Sequence, residues 1–253
     1  MINGTIPYCG PAPIPTDLWS TWNLDPLLLA VFALIGAGAL ATSRTPMRDA
    51  ARSPYAVAAT IILLVAFFSP LCALASALLS ARVFHHLLLV AAAAPLLALA
   101  LPTRFPRLPL AALFLGHTLL MWVWHAPLPY QWALASVPVY WLMELTLFGS
   151  AFLMWQGIFA ARTGPALSLL LGSIVQMGML GALLTFAARS LYEAHATTTL
   201  PYGLTPLGDQ QLAGLLMWVP AALPYLAAAL LIAWRQFGRT EPFASAKTRC
   251  WSG

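Results

Sequence analysis

Seven long apolar segments, separated by short runs that contain Pro, Gly or Arg, constrain this chain more than any other feature. A helix needs roughly 20 mostly apolar residues to cross about 30 Å of hydrocarbon at about 1.5 Å per residue. Period-two alternation is absent, which excludes a transmembrane β-barrel. The sequence therefore predicts an all-α, polytopic membrane bundle of about seven transmembrane helices. The segments cover residues 26–43, 55–79 (broken by Pro70), 83–101, 108–126, 139–161, 165–188 and 209–235.

The scarcity of charge supports a lipid environment. Only 8% of the residues are charged, whereas a soluble domain carries about 25%. The net charge of +5 is interpreted as loop charge that sets membrane orientation, and no nucleic-acid partner is expected. The amino terminus lacks the pattern of a cleaved signal peptide, so we expect the first apolar helix to be retained.

Basic residues are distributed unevenly between alternate loops. Ten of the twelve fall on one side of the predicted bundle, and only Arg82 and Arg189 fall on the other. Because positive loops stay in the cytoplasm, the N-terminus is predicted to lie outside and the C-terminus inside. The predicted parts are an extracytoplasmic arm (1–25), a seven-helix membrane domain (26–235) and a cytoplasmic tail (236–253). The outward side is expected to hold the arm, a turn at 80–83 and loops at 126–138 and 189–208.

The cysteines show no metal-binding spacing. The predicted topology places Cys9, Cys72 and Cys250 in three different compartments, so no internal disulfide is expected. By contrast, all five histidines and two unusual carboxylates fall in the outward half of the bundle. An ionisable group within a span is costly in lipid and is a functional-site hypothesis by default. This set consists of His85, His86, His117, His125, His195, Glu144 and Asp209.

The fourth span carries His117, Met121 and His125 at four-residue spacing, which lines one face of a helix. Imidazole suits copper, zinc or iron, and thioether sulfur favours Cu(I). The three residues are therefore candidate copper ligands. The alternative is that Met121 is ordinary packing and that His117 hydrogen-bonds across the bundle.

The adjacent histidines His85 and His86 lie about 100° apart around a helix. We expect His86 to face the bundle, where it is a further candidate copper ligand, and His85 to face the headgroup region. Glu144 is predicted to pair either with a histidine, orienting its ring, or with Arg82 in an ion pair that locks the bundle.

The outward end of span seven carries polar and small residues. Asp209 is positioned to cap this helix, and Gly214 with Ala213 permits close approach of a neighbouring helix. Trp218 and Pro220 are expected to lie deeper, inside a packed helix. Structural packing and ligand binding remain open alternatives here.

Four strings in order along the chain resemble a known family: HHLLLVAAAAPLLALALP, WVWHAPLPYQWAL, FLMWQ and YGLTPLGDQQLAGLLMWVPAALPYLAAAL. They are similar to the membrane-embedded CtaG family of cytochrome c oxidase assembly factors, the type named from caa3 oxidases. The resemblance covers about residues 60–235. It implies a multi-pass protein of the bacterial inner membrane that helps a haem-copper oxidase mature, at the copper insertion step, with oxidase subunits as partners.

The resemblance extends to single positions. It implies that His86 matches the last histidine of the family's HMxQH pattern, that His125 matches its WHxP histidine, and that span seven matches DQxxxGxxMW through Asp209, Gln210, Gly214, Met217 and Trp218. The chain also departs from the family. Arg82 stands at the first histidine of HMxQH and His85 at its glutamine. Where the family has HxxEH, this chain has Tyr140, Met143 and Glu144.

These observations favour a non-enzymatic assembly factor or chaperone that handles copper on the outward side. No hydrolase or nucleotide-binding motif is present, and neither haem nor nucleotide is expected as a cofactor. The alternatives are an accessory oxidase subunit that packs without binding metal, a copper transporter, and a haem protein with His86 and His125 as axial ligands. The inner halves of the spans have few polar residues, which argues against transport.

Overall fold

The computed structural model describes residues 7–42, 53–101 and 108–237, and regular structure within these ranges is entirely helical. Three single 3-10 turns add to the helices, at Leu18–Ser20, Glu193–His195 and Leu200–Tyr202. Cys250, most of the basic loop residues and nearly all of the predicted cytoplasmic tail lie outside the described ranges. The helices are α1 (Pro26–Thr42), α2 (Ser53–Phe68), α3 (Pro70–Ala77), α4 (Leu79–Leu87), a π-helical segment (Leu88–Ala93), α5 (Ala94–Ala100), α6 (Leu110–Trp124), α7 (Pro127–Ala135), α8 (Val137–Ala160), α9 (Thr163–Thr185), α10 (Pro206–Trp218) and α11 (Ala222–Phe237).

Four to six of the candidate spans are long and apolar enough to cross a membrane within the described ranges. Four spans are single or nearly continuous helices. Two further spans are obtained if each of two bent helix pairs is counted as one span. Helix α1 has 17 residues where it is described, so the seventh span stays a prediction. The four are Leu79–Ala100, Val137–Ala160, Thr163–Thr185 and Pro206–Gln236, and the bent pairs are Pro54–Phe68 with Pro70–Ala77 (51°) and Leu110–Trp124 with Pro127–Ala135 (73°).

The predicted break at Pro70 is confirmed. Proline begins α3 as its first residue, and the Ser69 side chain accepts the N–H of Leu71 at the cap. Proline is tolerated at that position because the first N–H groups of a helix have no partner within it.

Two other predicted connections were wrong. The loop expected at 126–138 contains α7, which Pro127 begins and Ser136 ends. The turn expected at 80–83 lies inside α4, because the break between α3 and α4 falls earlier, at Leu78, where the backbone is extended. Arg82 is therefore a helix residue inside the bundle and does not belong to the loop charges.

The π-helical segment adapts the third span to Pro95. Within it the N–H of Ala94 bonds the carbonyl of Leu89, five residues earlier. Pro95 has no N–H, so in the same pattern the carbonyl of Val90 receives no backbone donor. The indole N–H of Trp155 on α8 donates to that carbonyl at 3.0 Å. This bond satisfies the freed carbonyl and fixes α8 against the third span.

The expectation of no internal disulfide was wrong. Cys9 is bonded to Cys72, with 5.3 Å between the Cα atoms. The arm before α1 folds back over the break between α2 and α3, where the N–H of Asn23 donates to the carbonyl of Phe68 at 3.0 Å. Helices α2 and α3 meet at an angle of 51° at that break. Cys72, at the start of α3, therefore lies against the arm and within bonding distance of Cys9.

Helices α9 and α10 pack through two glycines. A Cβ on Gly181 would lie 2.7 Å from the Gly214 carbonyl oxygen, and a Cβ on Gly214 would lie 2.5 Å from the Gly181 carbonyl oxygen and against the Thr185 hydroxyl. The predicted close approach at Gly214 is confirmed. Trp218 and Pro220 do not lie inside a packed helix as expected, because α10 ends at Trp218, Pro220 precedes α11, and both side chains are exposed.

Candidate functional site

Glu144 lies at the centre of a buried polar cluster between α4 and α8. Its Oε1 is 3.2 Å from Nη1 of Arg82 and 3.4 Å from Nε2 of His86, and its Oε2 is 3.5 Å from Nε2 of His85. The most exposed of these four side chains, His86, is only 3% exposed. The sequence left two alternatives for Glu144, a histidine partner or Arg82, and the structure contains both.

The expectation that His85 faces the headgroup region was wrong, since its side chain is fully buried. Neighbouring side chains on a helix diverge by about 100°, and the carboxylate of Glu144 lies between the two rings. Because its oxygens point in different directions, each imidazole reaches its own oxygen. Phe67 covers the other side of His85, with 5.1 Å between ring centroids.

His125 brings α6 into the cluster. Its ring lies edge-on to the ring of His86, with 5.3 Å between centroids. Its Nδ1 contacts the Met121 carbonyl oxygen at 2.8 Å, and such a bond requires the proton on Nδ1. The lone pair therefore resides on Nε2, as in a histidine poised to bind a metal. Tyr192 donates to the His125 carbonyl and fixes this helix end from the 189–208 segment.

His117 and Met121 are buried further along α6. Nδ1 of His117 is 2.9 Å from the Ser150 hydroxyl of α8, which itself donates to the Leu147 carbonyl. The predicted bond of His117 across the bundle is thus present. Because the serine uses its proton elsewhere, Nδ1 donates, and Nε2 of His117 is buried without a hydrogen-bond partner in the described part of the chain. As metal ligands, His117 and Met121 stay predictions.

Asp209 caps the start of α4, the helix that carries His85 and His86. Its carboxylate accepts the N–H groups of Leu79 and Ser80, at 2.6 Å and 3.2 Å, and also the Ser80 hydroxyl. The prediction that Asp209 caps its own helix was wrong: Thr205 caps α10, and Asp209 caps α4. The chemistry is the expected one, a carboxylate on unpartnered N–H groups at the positive end of a helix.

Gln210 joins the same end of the bundle to the 189–208 segment. Its amide oxygen accepts the N–H of Leu191 at 2.7 Å, and its amide nitrogen donates to the Leu184 carbonyl at 3.1 Å. It therefore satisfies one of the last carbonyls of α9. Met217, one turn beyond Ala213 on the same face, is also buried.

His195 lies in a buried network that the sequence pattern missed. Its Nδ1 is 3.0 Å from the Ala77 carbonyl oxygen, and its Nε2 accepts the hydroxyl of Tyr130 at 2.7 Å. Burial lowers the pKa of His195 to about 4, and the negative charge of Asp209 opposes this shift only in part. The predicted loop at 189–208 contains this residue, and exposure is the usual expectation for a loop. The only local signal was the nearby aromatic residue Tyr192.

The donors suit a soft ion of low charge better than a hard dication. Within the described ranges no three His, Cys, Asp or Glu side chains are arranged as a metal-holding group. What the cluster offers is the imidazole pair of His86 and His125, whose ring centroids lie 5.3 Å apart, beside helix α6 with its thioether side chain Met121. Imidazole and thioether are ligands for Cu(I).

A family model described as cytochrome c oxidase caa3 assembly factor (Caa3_CtaG) matches residues 34–238. The chain belongs to this family. No curated protein and no solved structure gives a significant match. The family match spans every residue of the cluster around Glu144 and of the Asp209 network, whereas the arm that carries Cys9 lies before it.

The positions at which the resemblance implies a departure from the family pattern lie together in space. Arg82, at a position of the HMxQH pattern, contacts both Glu144 and Tyr140, two positions of the HxxEH pattern. The guanidinium carbon lies 5.2 Å from the centroid of the Tyr140 ring, and the ion pair measures 3.2 Å. The departures therefore form one unit, in which a buried ion pair and a cation–π contact stand where the pattern has imidazoles.

Proposed function

We propose that this CtaG-family protein assists cytochrome c oxidase assembly by accepting and handing over Cu(I) as cargo, from the extracytoplasmic side of a bacterial inner membrane. The observation that carries the proposal is the contact of His86 with both the His125 ring and the carboxylate of Glu144. The resemblance assigns these two histidines to family motifs, and both are buried. His117 and Met121 are proposed as further soft ligands along α6.

The charge of the cluster favours a monovalent cargo. The single negative charge of Glu144 is already compensated by Arg82 at 3.2 Å. A metal ion that binds the neutral histidines therefore adds its whole charge to a buried site. The cost of burying uncompensated charge rises steeply with its magnitude, so Cu(I) is favoured over Cu(II) or Zn(II).

Two observations support the proposed orientation. Because Arg82 is buried inside the bundle, ten basic residues remain on the predicted cytoplasmic side and one, Arg189, on the predicted outward side. The disulfide between Cys9 and Cys72 is the second observation, because disulfides persist in oxidising compartments and are rare in the cytosol. Both favour an outward location for the arm and for the neighbouring histidine cluster.

The partner surface is proposed to be the apolar outside of the bundle. Large apolar side chains are exposed along several helices, as expected for contact with lipid. An oxidase subunit in the same bilayer can pack against such a face through shape and small residues. No step of the proposed function requires this chain to catalyse a reaction.

The ion pair of Arg82 with Glu144 favours one competing function, an accessory subunit that packs on the oxidase without metal. An ion pair satisfies the buried charges by itself. Copper transport by the bundle is the other alternative, and it would give faster copper uptake into proteoliposomes than into empty vesicles.

Gene deletion tests the assembly function. We expect membranes from the deletion strain to lose oxidase activity and the copper content of the oxidase together, while oxidase protein is still synthesised. Re-expression of the wild-type chain restores both. An oxidase that is fully active and copper-replete without this protein would overturn the assembly function, and lost activity with unchanged copper would support the accessory subunit.

A further inference from the structure

The disulfide between Cys9 and Cys72 lies one side chain away from the cluster around Glu144. The Sγ atom of Cys9 is 3.6 Å from the hydroxyl of Tyr140, and the Tyr140 ring lies under the guanidinium of Arg82. Two sulfur atoms, the softest ligands that a protein offers, therefore lie next to a histidine cluster that has no thiolate of its own.

The arm remains attached to the bundle by contacts other than the disulfide. Tyr8 stacks on Tyr140 of α8, with 4.9 Å between centroids, and within the arm it donates to the Asp25 carboxylate just before α1, at 3.0 Å. Further along, Tyr202 donates to the Pro13 carbonyl at 2.9 Å. These anchors lie on both sides of Cys9. Opening the disulfide therefore leaves the two sulfur atoms close together. Because other contacts already hold the arm, the disulfide is not needed merely to attach it.

The surroundings of Cys72 favour a thiolate once the bond is open. The residue is the third of α3 and lies in the first turn of that helix, where the positive end of the helix dipole stabilises negative charge. The side-chain amide of Asn23 donates to its sulfur at 3.8 Å. The thiolate is the form that binds metal.

Cys9 can be reached by a reductant. It lines a cavity of about 480 Å³ that opens at the surface between the arm and α3. The other walls come from the arm segment 10–14 and from Asp17, Thr21, Trp22 and Ala73. A thiolate that enters this cavity meets the Cys9 side of the disulfide, whereas Cys72 is fully buried.

We propose that Cys9 and Cys72 form a second, redox-gated Cu(I) site that passes copper to the neighbouring histidines. Two thiols of an extracytoplasmic dithiol reductant reduce the disulfide: the reductant becomes a disulfide, the Cys9–Cys72 bond breaks, and two electrons and two protons pass to the two cysteines. Cu(I) then binds both sulfurs and displaces the two thiol protons. Only the identity of the metal rests on the proposed function, because two thiolates also suit other soft ions.

The test compares the purified full-length chain in detergent in its oxidised and reduced forms. The chain is reduced with a dithiol, freed of reductant without oxygen, and titrated with Cu(I) against a chromogenic chelator. We expect the reduced form to bind one Cu(I) per chain more than the oxidised form, with sulfur scattering in its X-ray absorption spectrum. Equal stoichiometry in the two forms, or a disulfide that the dithiol does not open, would overturn the proposal without any variant.

Three variants test whether the additional copper is bound by Cys9 and Cys72. It should disappear in the Cys9→Ser/Cys72→Ser chain and persist in Cys250→Ser, the matched control with the third cysteine removed. Loss in Cys250→Ser, or persistence in the double variant, would overturn the site. The additional copper should also persist in His86→Ala/His125→Ala. If that chain loses no other copper, the proposed histidine site fails while the thiol site stands.

Discussion

The guanidinium of Arg82 lies 3.2 Å from the carboxylate of Glu144, and each side chain is 1% exposed. Removing one partner of a buried ion pair leaves an uncompensated charge, which costs about 3 to 5 kcal/mol. We therefore expect Glu144→Gln to lower the thermal unfolding midpoint of the purified protein strongly, and the double variant Arg82→Met/Glu144→Gln to recover part of the loss. Glu193→Gln is the control, because Glu193 is exposed. A Glu144→Gln chain as stable as this control would contradict the account.

Asp209→Ala should destabilise the protein more than Thr205→Ala. Both residues cap helices, but Asp209 is fully buried and accepts three donors of α4, whereas Thr205 is exposed and accepts one. Loss of an exposed cap costs about 1 kcal/mol, and buried donors without partners add about 1 to 3 kcal/mol. Chemical unfolding of the two variants measures the difference. Equal losses would mean that Asp209 does not hold α4.

Gly214→Ala should separate α9 from α10. The new Cβ would meet the Gly181 carbonyl oxygen at 2.5 Å and the Thr185 nitrogen at 2.8 Å, and overpacking of this kind costs about 1 to 3 kcal/mol. Gly149→Ala is the matched control, because a Cβ there meets nothing within 4 Å. The control should be neutral or slightly more stable, since Ala favours a helix by up to about 1 kcal/mol over Gly. Unfolding midpoints that rank the two variants in the opposite order would exclude the close contact.

The buried imidazole of His195 should make stability depend on pH. Its pKa is about 4 in the folded protein, because burial disfavours the charged form, against 6.5 for an exposed histidine. The unfolded chain thus binds more protons between these values. The contribution of His195 is fully present above pH 6.5 and is lost as the pH falls toward 4, by at most about 3 kcal/mol. Unfolding midpoints from pH 7.5 to 4.5 should fall more steeply for the wild-type chain than for His195→Asn. If the unfolding midpoints of the two chains fell equally with pH, burial would not keep the His195 imidazole uncharged in the folded protein.

The local features of this fold follow from its sequence. Pro70 breaks the second span because a proline cannot continue the helix, and His125 ends α6 just before Pro127. The apolar length of each segment predicted a helix, and the apolar composition predicted a membrane protein. Each of these properties depends on residues within a few positions of one another.

The features that the sequence did not reveal depend on partners far along the chain. Asp209 was expected to cap the nearest helix, yet it caps one whose first residue is 130 positions away. Arg82 was counted as a loop charge because the turn of the chain was expected at 80–83, although Arg82 was also a predicted partner of Glu144. The disulfide was excluded because Cys9 and Cys72 were assigned depths separately, without the folded arm. In the candidate site, the partners of Glu144 were predictable as alternatives, whereas the contact of His86 with His125 and the bonds of Asp209 to α4 were not.

The copper stoichiometry of the purified chain tests the central claim most directly. Ascorbate keeps copper as Cu(I), the disulfide is left closed, and Cys250 is replaced by Ser in every chain so that no free thiol contributes. We expect the otherwise wild-type chain to bind stoichiometric copper, His86→Ala and His125→Ala to lose it, and His195→Asn to retain it. An otherwise wild-type chain that binds no copper under these conditions, or copper that persists in both the His86 and the His125 variants, would contradict the account.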